Sequence, residues 1–122
     1  MYLLKINASF AAAHCLINYQ GDCENLHGHN WKVEVSVTDI NLDNAGLGID
    51  FKLLKRETNE LLKTLDHTYL NDLEPFRTIS PSSENLSRYI YDELSRKMNN
   101  DNIHIQMVTV WESDNACASY YE

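Results

Sequence analysis

An α+β fold, with two helices on one face of an antiparallel sheet, is predicted by three features of the sequence: β-type alternation near both ends of the chain, helical apolar stripes only in its middle, and Asn/Asp/Gly-rich turns between them. The predicted order is strand, strand, helix, helix, strand, strand. A chain of 122 residues without a Pro/Gly/Ser-rich linker has the size of one domain, 1–122. Its 43% hydrophobic residues suffice for a core. A domain this small gains stability by association, so a homo-oligomer is expected.

Residues 2–12 (YLLKINASFAA) carry no helix breaker and read as the first strand. In the second strand, WKVEVSVTDI, Trp31, Val33, Val35 and Val37 face one way, and Lys32, Glu34, Ser36 and Thr38 the other. Between them, Asn18–Asn30 holds Gly21, Asp22, Asn25, Gly28 and Asn30, which is loop chemistry. Asn41–Gly48 forms a second turn. Leu53, Leu54, Leu61, Leu62 and Leu65 then build the apolar stripe of an amphipathic helix over about 51–65. A second helix starts after Pro81, with Ser82 or Ser83 as N-cap and Leu86, Tyr89, Ile90 and Leu94 as its buried face, and stops near Asn99–Asn100. In the third strand, IHIQMVTVWE, simple alternation puts Ile103, Ile105, Met107, Thr109 and Trp111 opposite His104, Gln106, Val108, Val110 and Glu112. A turn at Ser113–Asn115 leads into the last strand, Ala116–Tyr121.

Ten Lys+Arg against eighteen Asp+Glu give a formal charge of -8, which disfavours nucleic acid or an anionic membrane as partner. Cys15, Cys23 and Cys117 are an odd count without CxxC spacing, so neither a disulfide framework nor a cysteine zinc ribbon is indicated. Cys15 and Cys117 read as small buried side chains. The opening residues MYLLKINASF lack the apolar run of a signal peptide, and no stretch approaches the roughly 18 apolar residues of a membrane span. A cytoplasmic protein is expected.

Chemistry-bearing residues gather in the first loop. His27 and His29 form an H-x-H pair entering a strand, where the period of two puts both imidazoles on one face. A catalytic zinc site commonly takes three protein ligands and keeps a fourth position open, and His14, at the end of the first strand, is the candidate third. Solvated loop histidines would show the same spacing. Cys23, in C-x-x-x-H-G-H, is a fourth ligand, a thiolate base near a metal, or an ordinary loop cysteine. Asp66 and His67 read either as an acid–base dyad, a carboxylate orienting an imidazole, or as a helix C-cap with a solvated histidine. Glu112 and Glu84 each offer a carboxylate to the paired N–H groups of an amino-pyrimidinone edge. A strand-end surface residue and a favourable N-terminal helix charge are the plainer readings of these two.

Together F-A-A-A-H at 10–14, C-E-N-L-H-G-H at 23–29, D-F at 50–51, L-D-H-x-x-L-N at 65–71, P-S-S-E-N at 81–85 and V-x-E at 110–112 resemble the 6-pyruvoyltetrahydropterin synthase/6-carboxytetrahydropterin synthase family, in that family's order and over nearly the whole chain. Ser82 stands where the family usually has Thr. The resemblance implies a T-fold subunit whose sheets join those of its neighbours into a barrel, commonly in a hexamer. It implies His14, His27 and His29 as ligands of Zn2+, Cys23 as general base, Asp66 and His67 as a proton-shuttling pair, Glu112 as pterin anchor and Glu84 as a supporting residue.

The implied substrate is 7,8-dihydroneopterin triphosphate. Loss of triphosphate alone gives the 6-pyruvoyl product, whereas cleavage with release of acetaldehyde gives 6-carboxytetrahydropterin, on the route to queuosine and other 7-deazaguanines. The short chain and compact C-x-x-x-H-G-H loop resemble the bacterial, carboxytetrahydropterin branch. Lys52, Lys55 and Arg56 are candidate cations for the triphosphate. The alternatives are 6-pyruvoyltetrahydropterin synthase, a pterin aldolase, a catalytically silent pterin- or metal-binding module, and a purely structural zinc site.

Overall fold

The computed structural model describes residues 1–17 and 26–122. Its elements are β1 (Tyr2–His14), β2 (His27–Asp39), α1 (Phe51–Lys63), β3 (Thr68–Tyr69), a 3-10 turn (Leu70–Asp72), α2 (Ser83–Met98), β4 (Ile103–Ser113) and β5 (Ala116–Tyr121). They form one five-stranded sheet in the order β3-β1-β2-β4-β5. The predicted order holds, with one addition: β3 pairs parallel to β1 through Ala12 with Thr68 and Ala13 with Tyr69, so the sheet is mixed rather than antiparallel throughout. Two paired residues leave no periodicity to read; they pair because α1 delivers the chain to that edge.

Leu4, Ile6, Ala8, Phe10, Ala12 and His14 of β1 lie on the same face as Val37, Val35, Val33, Trp31, His29 and His27 of β2. Trp31, Val33, Val35 and Val37 are fully buried, in one cluster with Leu54 and Leu61 of α1 and Leu86, Ile90 and Leu94 of α2. Both helices therefore cover the same sheet face. Both strands run further than their alternation suggested, with β1 reaching His14 and β2 starting at His27 rather than Trp31. The turn-type residues Gly28 and Asn30 disguise this start, yet both sit in the ladder opposite Ala13 and Ala11.

Asp50 caps α1 by accepting from the Lys52 backbone N–H at 2.8 Å. The helix ends at Lys63, because Thr64 and Leu65 bond back to Leu61 and Leu62 in tighter 3-10 fashion. Leu53, expected in the buried stripe, is 38% exposed, whereas Leu65 packs in the core from just beyond the helix. In α2, Ser82 is the N-cap and accepts from Asn85 N–H at 3.2 Å, with Glu84 in the first turn and Arg96 and Lys97 in the last, as the helix dipole favours.

β4 departs from simple alternation. Met107 pairs with Ser36 and Ile105 with Val37, so Gln106 is a bulge residue and the inward face changes from Ile105 to Val108 and Val110. The bulge breaks the predicted grouping of Ile105 with Met107 and Trp111. It puts Glu112 on the core face, in line with the histidines.

At the opposite end of the sheet, Asp39 is fully buried and accepts from Asn102 Nδ2 at 2.6 Å. Gly48 packs against it, and a Cβ added there would lie 2.4 Å from Asp39 Oδ2. Gly48→Ala should therefore lower stability by about 1–3 kcal/mol, the usual cost of overpacking. An unchanged urea midpoint for this variant would show that the turn yields freely.

Candidate functional site

The core face of the sheet ends in imidazoles. His29 and His27 continue the row of Val37, Val35, Val33 and Trp31, and antiparallel pairing sets His14 directly opposite His27. His14 is 1% exposed. The ring centroids lie 4.6 Å apart for His14–His27 and His27–His29 and 5.1 Å apart for His14–His29, all edge to face, with Trp31 beneath at 4.9 Å from His14. His14 Nδ1 lies 2.8 Å from the Pro81 carbonyl, which can only accept, so that nitrogen carries the proton. Its Nε2 lone pair is thereby turned inward, 3.1 Å from His27 Nε2.

Glu112 completes the group, with Oε1 3.1 Å from His29 Nε2 and 3.6 Å from His14 Nε2. One ligand atom from each of the four residues lies within 4.8 Å of the others. Two nitrogens bound tetrahedrally at about 2.0–2.1 Å are ~3.3 Å apart, close to the 3.1 Å between His14 and His27. The outward Nδ1–H bond of His14 to a carbonyl is also the usual outer-shell support of a metal-bound histidine. The donor set thus fits a zinc ion: three imidazoles, with one carboxylate at the half-open side.

Asp66 and His67 follow α1 and are tied to β1. Asp66 Oδ1 accepts from Ala11 N–H at 2.8 Å, while His67 N–H donates to the Ala11 carbonyl at 2.6 Å. Asp66 Oδ2 meets His67 Nδ1 at 2.9 Å. His67 has φ +56°, in the left-handed region where His is found more often than bulkier residues. Its side chain is 82% exposed and lines a shallow depression with Ala11, Ala13, Gly28, His29 and Thr68. The Ala11 N–H, and then His67, hold the Asp66 carboxyl below its usual value of 3.8. The dyad is therefore formed, and it is separate from the four clustered ligands.

Cys23 lies outside the described residues. Glu84 is exposed in the first turn of α2, just beyond the Pro81 carbonyl that orients His14, and is not among the four clustered ligands. Lys55 lines a separate cleft with Lys5, Asn7, Glu34 and Phe51. His14 lies nine residue steps along β1 from Lys5, ~30 Å at about 3.3 Å per residue, so this cleft does not serve the histidines of its own chain. Cys15 is buried as expected, but Cys117 is exposed, because β5 is an edge strand and its outward face has no covering layer. The residue reading missed the Pro81 carbonyl and the side chain of Asn71, which donates to the Cys15 carbonyl at 2.8 Å and accepts from its N–H at 2.9 Å. A backbone acceptor leaves no trace in residue type, and Asn71 could be suspected only from its place in L-D-H-x-x-L-N.

A two-helix α+β sheet is closed at one end by a His/Glu group able to hold a metal, with a carboxylate–imidazole pair on its edge, the groups that a small metal-dependent enzyme needs. The family model for 6-pyruvoyl tetrahydropterin synthase matches residues 3–122, and the chain belongs to that family. The 6-carboxy-5,6,7,8-tetrahydropterin synthase of Synechocystis is 36% identical over 99 residues, covering 77% of this chain and 75% of that protein. A relative from Archaeoglobus fulgidus, bearing a provisional form of the same name, is 35% identical over 116 residues, with 95% and 92% covered. The structure of Caenorhabditis elegans 6-pyruvoyl tetrahydropterin synthase superposes with a TM-score of 0.86 at 30% identity, over 99% of this chain and 95% of that one.

The depressed Asp66 pKa has a definite sign. A carboxyl more acidic in the folded than in the unfolded chain stabilises the fold above its unfolded value of 3.8, and that contribution is lost as pH falls through the lower folded value. Asp66→Asn should therefore unfold at lower urea than wild type at pH 7, and the gap should close below pH 3.8. A gap independent of pH would remove charge from the account. For the metal, wild-type protein should bind zinc; His27→Ala and His29→Ala should each lose it, while Glu112→Gln should keep it. Loss of zinc from Glu112→Gln, measured by elemental analysis, would make Glu112 a ligand.

Proposed function

We propose that this chain is a zinc-dependent 6-carboxytetrahydropterin synthase, converting 7,8-dihydroneopterin triphosphate into 6-carboxytetrahydropterin with release of acetaldehyde and triphosphate, in queuosine and 7-deazaguanine biosynthesis. The observation that carries the reading is the convergence of His14, His27 and His29 at the open end of the core, beside the Asp66–His67 pair. Family membership and the names of the sequence relatives support the substrate class.

Zinc held by the three histidines would supply a Lewis acid for oxygens of the substrate side chain. The residues of the chain do the rest. The Pro81 carbonyl keeps the lone pair of His14 inward. Asp66, ionised throughout the neutral range, holds the His67 Nδ1–H and leaves Nε2 to exchange a proton with the side chain. Cys23 takes the role of base on the other side of that side chain, as the family resemblance implies. Glu112 has two carboxylate oxygens and sits at the half-open side of the group, where it can accept the paired N–H groups of the pterin ring. Glu84 assists at the start of α2.

The working enzyme is a cytoplasmic homo-oligomer, a hexamer in this reading. Two observations favour association: the outer edge of β5 and most of the outer edge of β1 have no strand partner within the described chain, and Tyr2, Leu3, Leu42, Leu47 and Phe51 form an exposed apolar surface. Joining sheets into a barrel would cover such edges. No helix among the described residues is long and apolar enough to cross a membrane.

Zinc-loaded protein incubated with 7,8-dihydroneopterin triphosphate should release acetaldehyde and 6-carboxytetrahydropterin. Formation of the 6-pyruvoyl product without acetaldehyde would assign the sibling activity. His67→Ala and Cys23→Ala should each cut kcat by about a hundredfold or more with zinc retained. Unchanged turnover in both would leave a binding module.

A further inference from the structure

The segment from Asp66 to Asn71 runs alongside the end of β1 in one continuous register. His67 bonds to Ala11, Thr68 pairs with Ala12 and Tyr69 with Ala13. Two positions further, Cys15 faces Asn71, but the chain there has turned into the 3-10 segment Leu70–Asp72, whose backbone bonds to itself through Leu73 N–H and the Leu70 carbonyl. The ladder is continued by a side chain instead. Asn71 Oδ1 accepts from Cys15 N–H at 2.9 Å and Asn71 Nδ2 donates to the Cys15 carbonyl at 2.8 Å.

We propose that Asn71 is a positioning residue of the site: its carboxamide stands in for a backbone peptide and locks the His14 end of β1 to the segment bearing Asp66 and His67. The inference rests on the function proposed above. A primary carboxamide carries a donor and an acceptor in one plane, as a peptide does, and the short Asn stem presents both to a single residue. Asp lacks the donor, Ala lacks both groups, and Gln is longer by a methylene. The buried side chain of Leu70 anchors the turn beneath it.

On its other side, the chain at and just beyond the end of β1 is held by the Pro81 carbonyl at His14 and by Ser80 Oγ, which accepts from Ile17 N–H at 3.0 Å. Asn85 in turn donates to the Ser80 carbonyl at 2.9 Å. His14 is thus fixed between two hydrogen-bonded brackets, and the Asn71 bracket is the one shared with the acid–base pair.

The test compares Asn71→Ala and Asn71→Asp with Asn102→Ala. Asn102 makes a comparable set of hydrogen bonds, to Asp39 and the Asn41 carbonyl, at the far end of the sheet. Zn2+ affinity is read by chelator competition without substrate, kcat and KM on dihydroneopterin triphosphate, and Tm on each protein. Both Asn71 variants should bind zinc about 10-fold more weakly, the low end of the loss for groups that directly hold a ligand, and lose kcat more than KM. Asn102→Ala should lower Tm while zinc affinity and kcat stay within about twofold. Asn71→Asp keeps the shape and the acceptor, so it reports even if Asn71→Ala does not fold. Zinc affinity and kcat of the folded Asn71 variants equal to wild type, or equal losses in Asn102→Ala, would overturn the inference. A wild-type chain that binds zinc without turning over the pterin sinks the functional reading alone; one that binds no zinc sinks both.

Discussion

The close approach of His14 and His27, at 3.1 Å between their inward nitrogens, is the constraint to which the rest of the site answers. Two lone pairs facing one another in a nearly water-free pocket repel unless a proton or a cation lies between them. The protein holds them there with its most rigid parts. Antiparallel pairing sets the two residues opposite each other, Trp31 supports the rings from below, and the Pro81 carbonyl prevents the His14 ring from presenting its other nitrogen. An apolar core that ends in three imidazoles dehydrates one side of a cation and leaves the other side open.

The Asp66–His67 pair is attached to the same strand as the buried His14. Asp66, His67 and Asn71 all bond to the stretch from Ala11 to Cys15 at the end of β1, so the histidine group and the carboxylate–imidazole pair share one reference element. Sites carried on a strand keep their geometry better than sites carried on loops. The left-handed backbone at His67 belongs to this arrangement: it turns the chain from the end of α1 onto the edge of β1 within a single residue.

Two irregularities in the strands matter as much as the regular pairing. The bulge at Gln106 moves the inward face of β4 onto Val108 and Val110, and with them brings Glu112 to the histidines. Without it, Glu112 would point away from the helices. At the other end, the buried Asp39 is held by Asn102 and closely covered by Gly48, a polar clamp that ends the core without a ligand chemistry of its own. The two ends of one sheet thus use buried polar groups differently, one to close the fold and one to present an open donor set.

Much of this was legible in residue order. The Trp31–Val37 alternation located the central strand and its buried face, the Leu spacing located α1, and Ser82 marked the start of α2, because these signals are local and survive any tertiary context. The H-x-H spacing and the family motifs singled out His14, His27, His29, Asp66, His67 and Glu112. Local pattern failed where partners are distant. The two-residue β3, the Gln106 bulge, the exposure of Leu53 and Cys117, and the peptide-like use of Asn71 depend on which segment lies alongside. Residue types and their spacing determined which groups could ligate a metal and move protons. Tertiary structure alone decided that three rings and a carboxylate meet within 4.8 Å of one another, because register across strands far apart in sequence is set by the packed core and by the hydrogen bonds along its edges.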